Sequence, residues 1–220
     1  MDSLIKKTAQ FVRKELDGLC SAHDFHHIER VWKLAKKIYA EEKNWGDLVV
    51  IELGALLHES FDDKFYMKEQ IQEKKQSLAI FLRDGWLDEE RLAKVFYVIE
   101  NVGYGKSLAR GPDFYMPIEL AIVEDADRLE SIGAIAIART FSYGGKKKRA
   151  IYDPDAPISE ITDKISYQKN EGSSLQHFYD KLLKLKDLLH TDAAKKIALQ
   201  RHAFMEQFLD QFHAEWNLEV

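Results

Sequence analysis

A chain of 220 residues with 45% hydrophobic and 31% charged side chains, four prolines and eleven glycines has the balance of one globular domain and excludes a disordered or linker-rich chain. Its formal charge of −5 excludes the broad positive footprint that polymeric nucleic acid or an acidic membrane needs, while leaving room for a local basic pocket. The lone Cys20 excludes an internal disulfide and argues against sulfur-rich structural zinc, which fits a cytoplasmic setting.

The first residues, Met1 to Lys7, lack the apolar core of a signal peptide, and no apolar run is long enough to span a bilayer. Asp24 predicts an N-cap, followed by a helix whose apolar face is Val31, Leu34, Ala35 and Ile38, with Lys33, Lys36 and Lys37 set away from it. Val50, Leu53, Gly54 and Leu57 repeat the pattern; Leu92, Val95, Phe96 and Ile99 repeat it again behind a second predicted N-cap, Asp88. Near the C-terminus, Leu182, Leu185 and Leu189 predict one long helix. Behind a third N-cap, Thr191, a second is predicted from Ile197, Phe204, Phe208 and Phe212. Sustained period-two alternation is absent, so the fold is expected to be all-α, a single domain over residues 1–220. Punctuated stretches fall at 60–68, 101–117 and 142–172. The last holds a Gly144-Gly145 hinge and is long enough to be expected as a substrate loop or lid.

Three clusters place metal-competent side chains among apolar ones. In the first, His23-Asp24-Phe25-His26-His27, His27 lies four residues before Val31 and shares its buried stripe, while His26 is rotated off it. Taken alone, His27 reads as a core histidine satisfied by one hydrogen bond. The second is His58-Glu59 at the end of an apolar helix, followed by Asp62, Asp63 and Lys64. An imidazole and a carboxylate there supply two ligands to one ion, and an exposed helix end with a solvated acidic loop is the plainer alternative.

The third, Glu124-Asp125-Ala126-Asp127, sits between apolar runs, where three acids are costly to bury unless paired or metal-bound. Asp125 and Asp127 cannot share a helix face, whereas Glu124 and Asp127 can. That makes Asp127 the candidate ligand, with Glu124 supporting it. Two histidines and two carboxylates form a mixed nitrogen/oxygen set suited to one divalent ion: Mn²⁺, Mg²⁺, Fe²⁺, Co²⁺ or Ni²⁺.

These stretches, continued by Arg128-Leu129-Glu130-Ser131-Ile132-Gly133, Arg139-Thr140-Phe141-Ser142-Tyr143-Gly144-Gly145 and His177-Phe178-Tyr179-Asp180-Lys181, resemble the HD superfamily, specifically its bacterial YpgQ/YedJ-type branch, over nearly the whole chain. The resemblance implies an HD-type helical bundle and hydrolysis of nucleoside or deoxynucleoside triphosphates to monophosphate and pyrophosphate, with Mn²⁺ the favoured ion. It assigns His27, His58 and Asp127 as metal ligands. Glu59 departs from it, since the family carries aspartate there. A side chain one methylene longer is expected to swing aside if the site keeps the family geometry.

Asp62, Asp63 and Glu59 are the candidate catalytic carboxylates, and Arg30, Lys64, Arg128 and Arg139 the candidate phosphate-binding cations. Arg30 reads equally as a surface ion-pair partner, and Arg139 as a tie between helices. The run Lys146 to Arg149 reads as a phosphate grip or, more commonly, as a solvated charge run. Monophosphatase or cyclic-nucleotide phosphodiesterase activity on the same fold is an alternative, as is binding of metal or nucleotide without turnover.

Overall fold

The computed structural model describes residues 1–16, 24–60, 67–156, 163–169 and 172–220. The described residues form helices and no strand: α1 (Asp2–Glu15), α2 (Phe25–Glu41), α3 (Leu48–Leu57), α4 (Lys68–Asp84), α5 (Glu89–Asn101), α6 (Tyr104–Ser107), α7 (Ile118–Glu130), α8 (Ala134–Lys146), α9 (Lys164–Lys169), α10 (Gln176–Asp180), a 3-10 helix (Leu182–Leu188) and α11 (Asp192–Trp216). Each of the three predicted N-caps accepts from the first turn of its helix: Asp24 from the His27 amide, Asp88 from that of Arg91, and Thr191 from that of Ala194. A cap of this kind stabilises its helix by about 1 kcal/mol.

α3 is the centre. Every residue from Val50 to Leu57 is buried, so it has no polar face to turn outward. α1, α2, α5 and α7 enclose it, and α2 and α7 also pack on each other. Gly54 permits the approach of α5, because a Cβ at that position would lie 2.7 Å from Val98 Cγ1. Asp47, which caps α3 through the Val49 amide, also accepts from Arg91 Nε at 2.7 Å, fixing where the helix enters the bundle.

α7 runs through the same core with its acids intact. Successive side chains step by about 100° around a helix, so neighbouring carboxylates face different partners. Asp125 accepts from the His190 and Thr191 amides and from Thr191 Oγ1 at 2.7–3.1 Å, tying α7 to the start of α11. Glu42, just past α2, takes the Ala193 amide at 2.8 Å, so two parts of the core hold that helix start.

Three expectations change. The leucine run near residue 182 is not a long α-helix but α10 followed by the 3-10 helix. Leu182 and Leu185 are buried at a spacing of three, which matches three residues per turn. On α11, Phe204 is 48% exposed, while Ala194, Ala198, Met205 and Leu209 form the buried stripe. The Gly144-Gly145 pair is not a hinge: both residues lie inside α8, and a Cβ on Gly144 would fall 2.0 Å from Ser174 Oγ. The excursion that follows is closed at its base, where the amides of Ser174 and Leu175 donate to the carbonyls of Ala150 and Ile151 at 2.9 Å. Within it, α9 places Tyr167 edge-on to Tyr104 of α6, with ring centroids 5.1 Å apart. No helix among the described residues is long and apolar enough to cross a membrane.

Candidate metal centre

Three core helices deliver the cluster. His27 projects from the first turn of α2, His58 is the C-cap of α3, Glu59 follows it, and Asp127 comes from α7. His27 Nε2 lies 3.8 Å from Glu59 Oε1 and 3.7 Å from Asp127 Oδ1, and His58 Nε2 lies 3.8 Å from the same Asp127 oxygen. One ligand atom from each of His27, His58 and Glu59 falls within 4.8 Å of the others. Two atoms sharing an ion through bonds of about 2.1 Å stand at most about 4.2 Å apart, and the three Nε2–oxygen separations satisfy that limit.

The protonation pattern suits a cation. His58 Nδ1 is 2.8 Å from the Ala55 carbonyl oxygen, which only accepts, so Nδ1 carries the proton and Nε2 is left with a lone pair. That buried Nε2 has no hydrogen-bond partner among the described residues. His27 Nδ1 faces Glu130 Oε2 at 3.7 Å, which likewise turns Nε2 toward the cluster. Burial holds the His27 imidazole below the ordinary histidine pKa against the pull of Glu130, favouring the neutral ligand form. Burial alone would raise the Asp127 carboxyl, but His58 and His27 outweigh it and hold the pKa down. Two imidazole Nε2 atoms turned toward one carboxylate, one of them buried with no hydrogen-bond partner among the described residues, fit a divalent ion.

A polar chamber of about 100 Å³ opens from this cluster. Arg128, Arg139, Lys106 and Lys181 line it together with Tyr104 and Tyr167. Lys181 donates to Tyr167 Oη at 3.0 Å and sits 5.0 Å from the centre of the Tyr104 ring. Arg139 donates to the Glu130 carbonyl at 3.0 Å, and one Arg128 nitrogen lies 3.2 Å from Glu124.

Of the residues singled out from sequence, the structure brings together His27, His58, Glu59, Asp127, Arg128 and Arg139. Arg30 does not line the chamber. Its Nε donates to the buried Glu130 at 2.6 Å, so it holds the carboxylate that faces His27. Glu124 does not support Asp127. It is enclosed with Arg110 (2.8 Å), Arg128 and His190 (3.0 Å), a separate charge cluster. Lys146 to Arg149 are absent from the chamber walls, and Lys147 and Arg149 lie over the Tyr143 ring. Asp62, Asp63 and Lys64, with Cys20 and His23, fall outside the described residues. Sequence reading missed Glu130 and Lys181. The first stands three residues after Asp127, a spacing that signals a shared helix side, whereas nothing local marks the second.

Glu59 has not swung aside. Its side chain is 10% exposed and its carboxylate points into the cluster. Glu59→Asp is therefore expected to draw the oxygen back by about one C–C bond, roughly 1.5 Å. Metal sites tolerate about 0.2 Å, so Mn²⁺ affinity should fall at least about tenfold. Titration of both proteins decides it; unchanged affinity means position 59 is no ligand, and tighter binding means the aspartate geometry is the native one.

No family model matches the chain. It is 34% identical to the uncharacterized protein YpgQ of Bacillus subtilis, over 93% of this chain and 90% of that one. A crystal structure of an HD-superfamily hydrolase from Bacillus thuringiensis superimposes with TM-score 0.74 at 39% identity, covering 98% of each chain. This chain belongs to the HD hydrolase superfamily, in the branch that contains YpgQ. As in that hydrolase fold, the bundle is all-helical and forms one domain. A Lactobacillus plantarum protein of known structure matches this HD hydrolase with TM-score 0.85 and 31% identity over 99% of each chain. The crystal structure of Bacillus subtilis YpgQ in complex with ADP matches with TM-score 0.72 and 31% identity over 96% of this chain and 97% of that one.

Proposed function

We propose that this HD hydrolase is a metal-dependent phosphohydrolase that cleaves nucleoside or deoxynucleoside triphosphates to monophosphate and pyrophosphate. The observation that carries the reading is the junction of two unlike surfaces in one cavity. An imidazole–carboxylate cluster forms one wall, and a set of lysines and arginines forms the other. His27, His58, Glu59 and Asp127 would hold one divalent ion, with Mn²⁺ favoured. Such an ion, when bound, lowers the pKa of coordinated water and polarises a phosphoryl oxygen.

The chain's own groups do the rest. Lys181, Arg128 and Arg139 offset charge on the substrate phosphates and on the departing pyrophosphate, in a setting where preorganised cations cost no reorganisation. Glu130 and the Ala55 carbonyl keep both imidazoles oriented. Asp62 and Asp63 are the proposed acids for proton transfer. A nucleotide substrate is supported by the relative crystallised with ADP, and a small molecule rather than a polymer by the net charge of −5.

With Mn²⁺, a panel of nucleoside and deoxynucleoside triphosphates is expected to yield monophosphate and pyrophosphate in equal amounts. Orthophosphate with diphosphate would reject the cleavage position. Orthophosphate from monophosphates, or opening of cyclic nucleotides, would select the alternative activities. Metal and nucleotide binding with no product in a single-turnover assay would select a binding protein.

A further inference from the structure

Glu59 borders two cavities. The second, of about 260 Å³, lies between α1, α4 and the start of α2, and its chemistry is the opposite of the first. Phe11, Ile28, Leu56, Leu78 and Phe81 give it mostly apolar walls, with Phe11 and Phe81 stacked at 5.2 Å and 25°. Polar groups are few: Ser60, Ser77 and the Lys74–Glu15 ion pair at 2.5 Å.

Size separates the two spaces. The basic chamber, at about 100 Å³, is the smaller of the two, and its walls carry the charged groups that phosphates need. The apolar cavity, at about 260 Å³, exceeds the roughly 150 Å³ of a cavity that holds a benzene ring, enough for a one- or two-ring heterocycle. A planar ring gains by packing on aromatic and aliphatic side chains, and its exocyclic groups need a small number of hydrogen-bonding partners. Ser60, Ser77 and Lys74 are of that kind.

We infer that the apolar cavity seats the nucleobase of the substrate, with the phosphates in the basic chamber and the metal cluster at the junction marked by Glu59. The inference rests on the phosphohydrolase reading above. It implies that a nucleotide is held from both ends, so the base contributes affinity that a bare sugar phosphate lacks.

The test uses the full chain with Mn²⁺ and three probes, AMP, ribose 5-phosphate and pyrophosphate, measured by calorimetry. Wild type is expected to bind AMP at least tenfold more tightly than ribose 5-phosphate. Ser77 is exposed on α4 at the edge of the cavity, so Ser77→Trp fills the space without disturbing the core. That variant should lower AMP affinity to that of ribose 5-phosphate while leaving ribose 5-phosphate and pyrophosphate within twofold of wild type. Should tryptophan also abolish pyrophosphate binding, Ser77→Leu decides by the same comparison. Equal wild-type affinity for AMP and ribose 5-phosphate overturns the base seat, as does a variant that keeps the AMP preference. Either result leaves the hydrolase reading standing. Failure of all three probes to bind wild type removes that reading, and the base seat falls with it.

Discussion

His58→Ala is expected to abolish stoichiometric divalent-metal binding and to lower hydrolysis about 10³-fold or more, with helical content unchanged. The loss follows from what the imidazole supplies. Its Nε2 faces Asp127 and has no hydrogen-bond partner among the described residues, and its tautomer is set by the Ala55 carbonyl. Without it, one imidazole remains beside the Glu59 and Asp127 carboxylates. A metal ion contributes several kcal/mol of transition-state stabilisation, and each 1.4 kcal/mol is about tenfold in rate. Helicity should survive because His58 caps α3 rather than lying within it, and the hydrogen bond it forfeits is worth about 1 kcal/mol. Metal analysis, far-UV circular dichroism and a rate measurement on one preparation decide the matter. A variant that retains one tightly bound ion would remove His58 from the centre.

Glu124→Ala should be strongly destabilising, although it lies outside the metal cluster. Glu124 is fully buried against Arg110, Arg128 and His190, so its removal leaves buried guanidinium charge without a counterion. Breaking a buried pair from one side costs about 3–5 kcal/mol. In a chain of this length that lowers Tm by roughly 6–20 °C, at 2–4 °C per kcal/mol. The exposed Arg83–Glu89 pair is the control, and its removal should shift Tm little.

The same cluster sets an acid limit. Burial alone would raise the Glu124 carboxyl, but His190, Arg128 and Arg110 outweigh it and hold the folded-state pKa below the ordinary glutamate value. Its stabilising contribution is thus fully present above the unfolded pKa of about 4.3 and is lost as pH falls through the lower folded value. The difference in Tm between wild type and Glu124→Ala should therefore be constant near neutrality and shrink below about pH 4. A gap that stayed constant to lower pH would mean the charge of Glu124 is not what stabilises the fold.

Local chemistry accounts for what the sequence disclosed. Helical periodicity and capping are short-range, so α2, α3 and α5 and the caps Asp24, Asp88 and Thr191 could be read directly. Polar residues at apolar positions marked His27, His58 and Asp127 as groups in need of partners, and the family resemblance made them ligands. What stayed hidden depends on distant partners. Lys181 reaches the chamber only because α9 and the 3-10 helix bring Tyr167 and Leu185 beside it. Glu124 looked like support for Asp127 by spacing, yet Arg110, from a loop fourteen residues earlier, claims it instead. Glu59 was expected to retreat by comparison with a shorter residue, and only the backbone turn after α3 shows where its carboxylate goes.

The burial of α3 on every side has a consequence for how the protein is made. Leu48–Leu57 leaves the ribosome before α5 and α7, two of the helices that cover it. Synthesis proceeds from the N-terminus, so this apolar decapeptide stays partly uncovered until Glu130 has been added. Glu52, which Lys36 pairs at 3.1 Å, is the segment's one charge, and no other position from Val50 to Leu57 faces solvent to carry a second that would keep nascent segments apart. The segment that places His58 in the site is therefore also the one through which newly made chains would adhere to one another.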